Sequence, residues 1–360
     1  MKMLITDNFE NLILNKIPLI DTRAPIEFKK GAFKSAINLP LLTDKEREVI
    51  GTCYKNSGSD AAIKLGYKMI SGDIKEQRVN AWVEFIKEHP DSVIYCFRGG
   101  QRSSIAQQWL YEAGYPIAKI KGGYKAFRNY ILEQFTTINK SFNPIRLGGY
   151  TGSGKTILLN KLSNSIDLEG LANHRGSAFG RHIVPQPTQI NFENNLLFDL
   201  KRKIDKGYKN LIFEDESKNI GRVYIPDTLH NYLVSSKMVI LKESMENRVD
   251  IIFQEYVINS QLEYKDITLW ANDMLSSFDR IKRRLGGKRH KELVELFNNS
   301  FLNQKSRNNL EQHKLWIEKL LIEYYDPMYS YQLDKNRELI EFIGGKEEVL
   351  EYFINSSIDI

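Results

Sequence analysis

Cysteine is scarce in this 360-residue chain: Cys53 and Cys96 are the whole supply, in unlike contexts. That excludes a disulfide framework and makes a reducing cytoplasm the expected location. No run of about 18 apolar residues occurs, so no membrane span and no membrane partner are expected. Met1 to Glu10 has no basic segment leading into an apolar core, and no signal peptide is expected. No Cys/His cluster has the spacing of zinc ligands, and no prosthetic group is expected. Internal repeats and low-complexity tracts are also missing, which excludes solenoids and disordered arrays.

What is present is the composition of a globular protein, 42% hydrophobic and 27% charged, in a chain long enough for two cores. The net charge of +6 is a mild bias toward a polyanionic partner. From Leu12 to about Gln134, short apolar runs alternate with amphipathic stretches. Pro18-Leu19-Ile20-Asp21 and Ser92-Val93-Ile94-Tyr95 read as buried strands, and 104–111 as the helix leaving the second. The pattern predicts an α/β domain over residues 1–134. Residues 135–144 are polar and irregular, a predicted linker. A second α/β domain is predicted over 145–360, with strands at 145–147, 210–213 and 238–241 and a mainly helical region beyond Glu243.

The second domain opens on Gly149-Tyr150-Thr151-Gly152-Ser153-Gly154-Lys155-Thr156, which satisfies G-x-x-x-x-G-K-[ST] between a strand and a helix. The glycines let successive N–H groups converge on one anion, and the helix N-terminus adds positive potential. Lys155 is expected on the terminal phosphates and Thr156 on Mg²⁺. Downstream, Glu214-Asp215-Glu216 ends an apolar strand as a Walker B element does, so Asp215 or Glu214 is the expected metal-side carboxylate, with Mg²⁺ between Thr156 and Asp215. The motif specifies phosphate and leaves the phosphate compound open.

The first domain carries Cys96-Phe97-Arg98-Gly99-Gly100-Gln101-Arg102-Ser103 between a strand and a helix. A loop of N–H groups, a helix N-terminus and two arginines all favour a thiolate there, and cradle an anion beside it. Cys96 is the expected catalytic residue, with Arg98, Gly99, Gly100, Gln101, Arg102 and Ser103 as its anion-binding loop. Two resemblances meet at this point. Asp21-Thr22-Arg23, Glu27-Phe28, Gly31, Ala36-Ile37-Asn38-Leu39-Pro40 and Gly122-Gly123-Tyr124-Lys125-Ala126-Phe127 resemble the flanking motifs of rhodanese-like domains. Cys96 to Arg102-Ser103 satisfies C-x5-R-[ST], as in cysteine phosphatases, one residue longer than the usual sulfurtransferase loop, although Tyr95 stands where those phosphatases usually have histidine. A longer loop suits a phosphate-sized group better than a bare sulfur.

The fusion of the two domains resembles the tRNA 2-selenouridine synthase family over almost the whole chain. The likeness includes Gly51-Thr52-Cys53-Tyr54-Lys55, Gly66-Tyr67, Ser71-Gly72-Asp73, the stretch Leu168-Glu169-Gly170-Leu171-Ala172-Asn173-His174-Arg175-Gly176-Ser177, Glu214-Asp215-Glu216, and Tyr324-Tyr325-Asp326-Pro327-Met328-Tyr329. The resemblance implies a transferase that replaces the sulfur of a wobble 2-thiouridine in the tRNA anticodon with selenium from selenophosphate. It also implies a preceding alkylation of that sulfur by geranyl diphosphate, whose diphosphate the P-loop would hold in place of ATP. Cys96 is then a nucleophile or a selenium carrier.

The densest basic stretch, Arg280 to Lys291, contains Arg283, Arg284, Lys288 and Arg289 and is the candidate tRNA-backbone contact. His174 and Arg175, in a glycine-bounded loop, are candidate tRNA or phosphate contacts, and Cys53 reads as a packed thiol. Two other readings stay open: a cysteine phosphatase with a regulatory P-loop domain, and a non-enzymatic RNA-binding protein switched by a nucleotide.

Overall fold

Leu19–Asp21 and Val93–Tyr95 are buried at every position, the signature of strands covered on both faces. In the computed structural model, which describes residues 3–356, they are β2 and β4 of a five-stranded parallel sheet. The sheet is completed by β1 (Ile5–Thr6), β3 (Ala36–Asn38) and β5 (Ala118–Ile120), in the order β1-β5-β4-β2-β3. Ile20, Ile94, Trp82, Trp109 and Leu110 form its core. Trp82 is fully buried, and its Nε1 donates to the Leu39 carbonyl at 2.9 Å, so the indole leaves no polar atom stranded. The long helix Asp44–Met69 starts at a reciprocal cap, with Glu46 N–H donating to Thr43 Oγ1 and Thr43 N–H to Glu46 Oε2. It is broken at Gly58, where φ is 81°.

The second unit holds β6 (Asn143–Gly148), β7 (Ser165–Ile166) and β8 (Asn210–Glu214), a two-stranded antiparallel ribbon of β9 (Asn219–Ile220) and β10 (Val223–Tyr224), then β11 (Lys237–Leu241) and β12 (Ile340–Gly344). Its main sheet is parallel, ordered β12-β11-β6-β8-β7. Helices fill most of residues 245–335 and bury Trp270, Phe278, Phe297 and Trp316 in a core of their own. The C-terminal region expected to be helical therefore returns one strand, β12, to the sheet edge.

The division into units also differs from a single cut in sequence. Residues 3–137 group with Thr188–Asp205, and Ile138–Pro187 with residues 206–356. The helix Gln189–Asp205, inside the span expected for the second domain, packs on the first. Ala32 N–H donates to Asn191 Oδ1, Asn194 donates to the Ala32 carbonyl, and Phe198 stacks on Phe127. The expected linker is mostly ordered structure: the helix Gly123–Thr137 runs into it, a single helical turn Ile138–Lys140 follows, and β6 begins at Asn143. Among the described residues no helix is long and apolar enough to cross a membrane.

Candidate functional site

Each unit carries a site at the C-terminal end of a central parallel strand, where loops of such sheets gather ligands. In the first unit Cys96 follows β4 and is 3% exposed. Its Sγ lies 3.2 Å from Ser103 Oγ, which in turn donates to the Gly100 carbonyl. The loop then enters the helix Gln101–Glu112. Gly123 closes it from behind. With φ at 62°, a Cβ there would stand 2.3 Å from the Cys96 carbonyl, while Tyr124 N–H donates to that same oxygen. The paired glycines and the cysteine loop are thus two halves of one backbone construction.

The upstream motif residues brace this loop. Asp21 and Arg23 are buried and paired, Arg23 Nη2 also donates to the Gly31 carbonyl, and its guanidinium lies 3.8 Å from the Tyr124 ring centre. Asn38 donates to the Asp21 and Arg23 carbonyls, tying β3 to β2. Arg102, expected on the anion, is engaged elsewhere: it holds both oxygens of Glu27 at 2.5 and 3.1 Å. Burial pulls the Glu27 pKa up, but Arg102 and then Arg47 outweigh it and keep the carboxyl ionised below its usual range. Arg98 is exposed. Cys53, half-buried on the helix Asp44–Met69, and Cys96 are both free thiols.

In the second unit, Gly149 to Thr156 curl between β6 and the helix Lys155–Leu159. Gly152 (φ 80°) passes so close to the Arg248 carbonyl that a Cβ would stand 2.8 Å away. Arg248 donates to the Thr151 carbonyl and is itself held by Asp326, so the Asp326 segment braces the phosphate loop. Lys155 Nζ donates to the Gly149 carbonyl and faces the Tyr329 ring. Burial lowers the Lys155 pKa, but Tyr329, Glu169, Glu216 and Glu214 overcome it and hold the ammonium above its usual range.

The Walker B acids separate. Thr156 Oγ1 donates to Glu214 Oε1 at 3.1 Å, and Glu169 N–H donates to the other oxygen at 3.0 Å. Asp215, the acid expected with Thr156 on a metal, pairs with buried Arg146 at 2.7 Å. Arg146, on β6 three residues before Gly149, carries no local pattern that marks it for this pairing. Burial, with Glu169 and Asp167 adding repulsion, pushes Glu214 up to about 8. Burial first, and then neighbouring carboxylates, raise Glu169 and Glu216 as well. Among the described residues no group of three or more His, Cys, Asp or Glu is placed to hold a metal ion; Thr156 and Glu214 offer two adjoining oxygen atoms, which Mg²⁺ would share with a bound phosphate.

Around the loop opens a cleft of about 530 Å³. Its wall includes Arg175, Arg181, Arg222, Arg280 and Arg284, facing Glu169, Glu216 and Glu255. Two π-helical turns, Gln254–Asn259 and Leu321–Tyr325, supply Glu255, Tyr256 and Tyr325 to it. His174 lines the cleft too. Burial, then Arg181 and His182, lower its pKa to about 4, which keeps it neutral. Arg175 is paired with Glu263. Of the basic stretch, Arg284 reaches the cleft, while Arg283, Lys288 and Arg289 are exposed at a helix end and the next helix start. Arg222 and Glu255 were not singled out from sequence, since no local pattern marks them. Glu169 and Tyr329 stood inside quoted motifs without a role.

A thiol in the loop after a central strand, and a phosphate loop over a second parallel sheet, define a rhodanese-like unit joined to a P-loop unit. Residues 6–130 match the rhodanese-like domain, and residues 142–358 match the tRNA 2-selenouridine synthase AAA domain. A tRNA 2-selenouridine synthase of Sulfurovum sp. (strain NBC37-1) is 51% identical, covering 96% of each chain. One from Hydrogenovibrio crunogenus is 46% identical over 98% of this chain and 99% of its own, and one from Pseudomonas syringae pv. syringae is 45% identical over 96% and 97%. The chain belongs to the tRNA 2-selenouridine synthase family.

Proposed function

We propose that this chain is a cytoplasmic enzyme that converts wobble 2-thiouridine of tRNA to 2-selenouridine, with geranyl diphosphate and selenophosphate as co-substrates. The observation that carries the reading is the buried Cys96 thiol, set against Ser103 in a backbone cradle, in a chain that also presents Lys155 and Thr156 for a diphosphate. In the first step the thiocarbonyl sulfur attacks the allylic carbon of geranyl diphosphate. A C–S bond forms, the C–O bond breaks, and diphosphate leaves. Lys155 and the loop amides stabilise the charge building on that leaving group, and Mg²⁺, when bound, neutralises it further.

In the second step selenium adds at C2 of the base and the S-geranyl group departs as geranyl thiol, taking one proton. Water then cleaves the Se–P bond and releases phosphate. Cys96 is assigned to this step as nucleophile: its thiolate takes the place of geranyl thiol at C2, and the selenium of selenophosphate then displaces the thiolate, which returns free. The commitment of Arg102 to Glu27 counts against a phosphatase, which needs that arginine on its substrate.

The test is mass spectrometry of nucleosides from thiolated tRNA incubated with the protein, geranyl diphosphate and selenophosphate. Geranylated thiouridine followed by selenouridine is expected. Unchanged 2-thiouridine together with tRNA-independent hydrolysis of an aryl phosphate would transfer the protein to the phosphatase class.

A further inference from the structure

The run Tyr324-Tyr325-Asp326-Pro327-Met328-Tyr329 takes no direct part in either step above. Its last four residues open the helix Asp326–Lys335, with Pro327 in the first turn, where a missing N–H costs nothing. Asp326, Tyr329 and Ser330 are spaced i, i+3, i+4 and so share one face of that helix. Each reaches the phosphate loop. Asp326 accepts from both Nη atoms of Arg248, whose Nε donates to the Thr151 carbonyl at 2.9 Å. Ser330 Oγ and Tyr150 Oη are 3.0 Å apart. The Tyr329 ring centre lies 5.5 Å from Lys155 Nζ.

Apolar packing does not account for this face. No residue of the helix is fully buried, so polar contacts to the loop seat it. One of them is an ion pair to buried Arg248, an expensive way to join a helix to a loop unless the loop must be held in one conformation. The bond from Arg248 fixes the peptide plane between Thr151 and Gly152, and with it the direction of the Gly152 N–H.

The hydroxyls around the cleft divide into engaged and unengaged. Tyr150 Oη is engaged by Ser330, and Tyr256 Oη by Ser177 at 2.8 Å. Tyr329 Oη has no hydrogen-bond partner among the described residues, although Tyr329 lines the cleft with Lys155 and Thr156. Lys155 pulls the Tyr329 pKa down, but burial, Glu216, Asp215 and Glu169 outweigh the lysine and raise it, so the phenol keeps its proton. A protonated phenol beside an ammonium, with no acceptor in the protein, is matched to an anion that brings its own acceptors.

We propose that Tyr329 completes the phosphate site, donating its hydroxyl to a diphosphate held by Lys155 and the loop amides. Ser330 is a positioning residue, which sets Tyr329 by tying the helix to Tyr150. The ligand class is a diphosphate, free or esterified. Only its identity as a prenyl diphosphate rests on the function proposed above. There the phenol stabilises the charge growing on the departing diphosphate without changing the net charge of the site.

The test is calorimetric titration of the full chain with inorganic diphosphate in the presence of Mg²⁺, beside thermal melts without ligand. Tyr329→Phe keeps the ring against Lys155 and loses only the hydroxyl. It weakens diphosphate by roughly tenfold or more, the scale of one hydrogen bond to a charged group. It melts at the wild-type temperature, because that hydroxyl has no partner in the protein to lose. Ser330→Ala weakens diphosphate less, and adds no further loss to Tyr329→Phe. Wild-type affinity in Tyr329→Phe overturns the inference. So does weakened binding accompanied by ligand-free melting several degrees lower, which marks a hydroxyl that serves the fold. Fully additive losses in the double variant remove the positioning role of Ser330. Diphosphate binding that depends on the Tyr329 hydroxyl, in a protein that does not geranylate thiolated tRNA, leaves Tyr329 in the phosphate site and removes the prenyl-donor reading.

Discussion

Thr156 donates to Glu214 at 3.1 Å while the next residue, Asp215, turns to Arg146, so one step along β8 decides which carboxylate attends the phosphate loop. Glu214 stands at about 8 in the folded chain, against roughly 4.3 for a solvated glutamate. The folded state holds a proton that the unfolded state has released. Stability from this group is therefore complete below about pH 4 and is lost as pH rises toward and through 8. Glu169 and Glu216 act in the same direction. Calorimetry from pH 5 to 9 without divalent cations is expected to show a falling Tm, with a shallower fall in Glu214→Gln. A Tm equally pH-dependent in that variant counts against the assignment.

Lys155 is expected to act at the diphosphate and nowhere else. Lys155→Ala should abolish geranylation and weaken inorganic diphosphate by about 10²-fold or more, the scale of losing one preorganised charge contact. Pre-geranylated tRNA should still be selenated. Loss of both steps would place Lys155 in a shared machinery.

Cys96→Ser should lower selenouridine formation by about a thousandfold or more, the scale of removing a covalent nucleophile, and let the geranylated nucleoside accumulate. Cys53→Ser should be silent in both steps. Nucleoside mass spectrometry reads all four outcomes, and full selenation by Cys96→Ser would reject the role.

Glu27 fixes Arg102 beside the cysteine loop through both carboxylate oxygens. Glu27→Gln should destabilise the chain by about 1–3 kcal/mol, because the arginine is left half-buried without its counter-charge. Urea unfolding measures this, with Glu48→Gln as the exposed comparison. A loss no larger than that of Glu48→Gln would mean the pair is incidental.

Arg283, Arg284, Lys288 and Arg289 bear on tRNA through charge alone. Changing all four to glutamine should weaken tRNA binding and reduce the slope of log affinity against log salt by about three. Filter binding at several salt concentrations tests it, and an unchanged slope removes this stretch from the interface.

Local patterns carried much of this far. A strand buried on both faces announces itself as an apolar run, and β2, β4, β8 and β11 lie where such runs occur. The phosphate loop and the cysteine loop are similarly legible, because their chemistry is written into consecutive residues between a strand and a helix. The helix Gln189–Asp205 shows the converse. Its apolar stripe says that it packs, and only the contacts of Asn191, Asn194 and Phe198 say on what. The strand β12 lies in a region whose pattern points to helix, because its five residues, Ile340 to Gly344 with Glu341 among them, are too few to set a period against the helices around them.

By itself the sequence determined the two chemistries, a cradled thiol and a phosphate loop, and the family that combines them. The tertiary structure decided which charges those sites keep. Arg102 was given to Glu27, Asp215 to Arg146, and Glu169, Glu255 and Arg222 were brought to Lys155's cleft from distant segments. Such pairings are properties of chain segments far apart in sequence, fixed only when burial forces each charge to find a partner and each surface to find a neighbour.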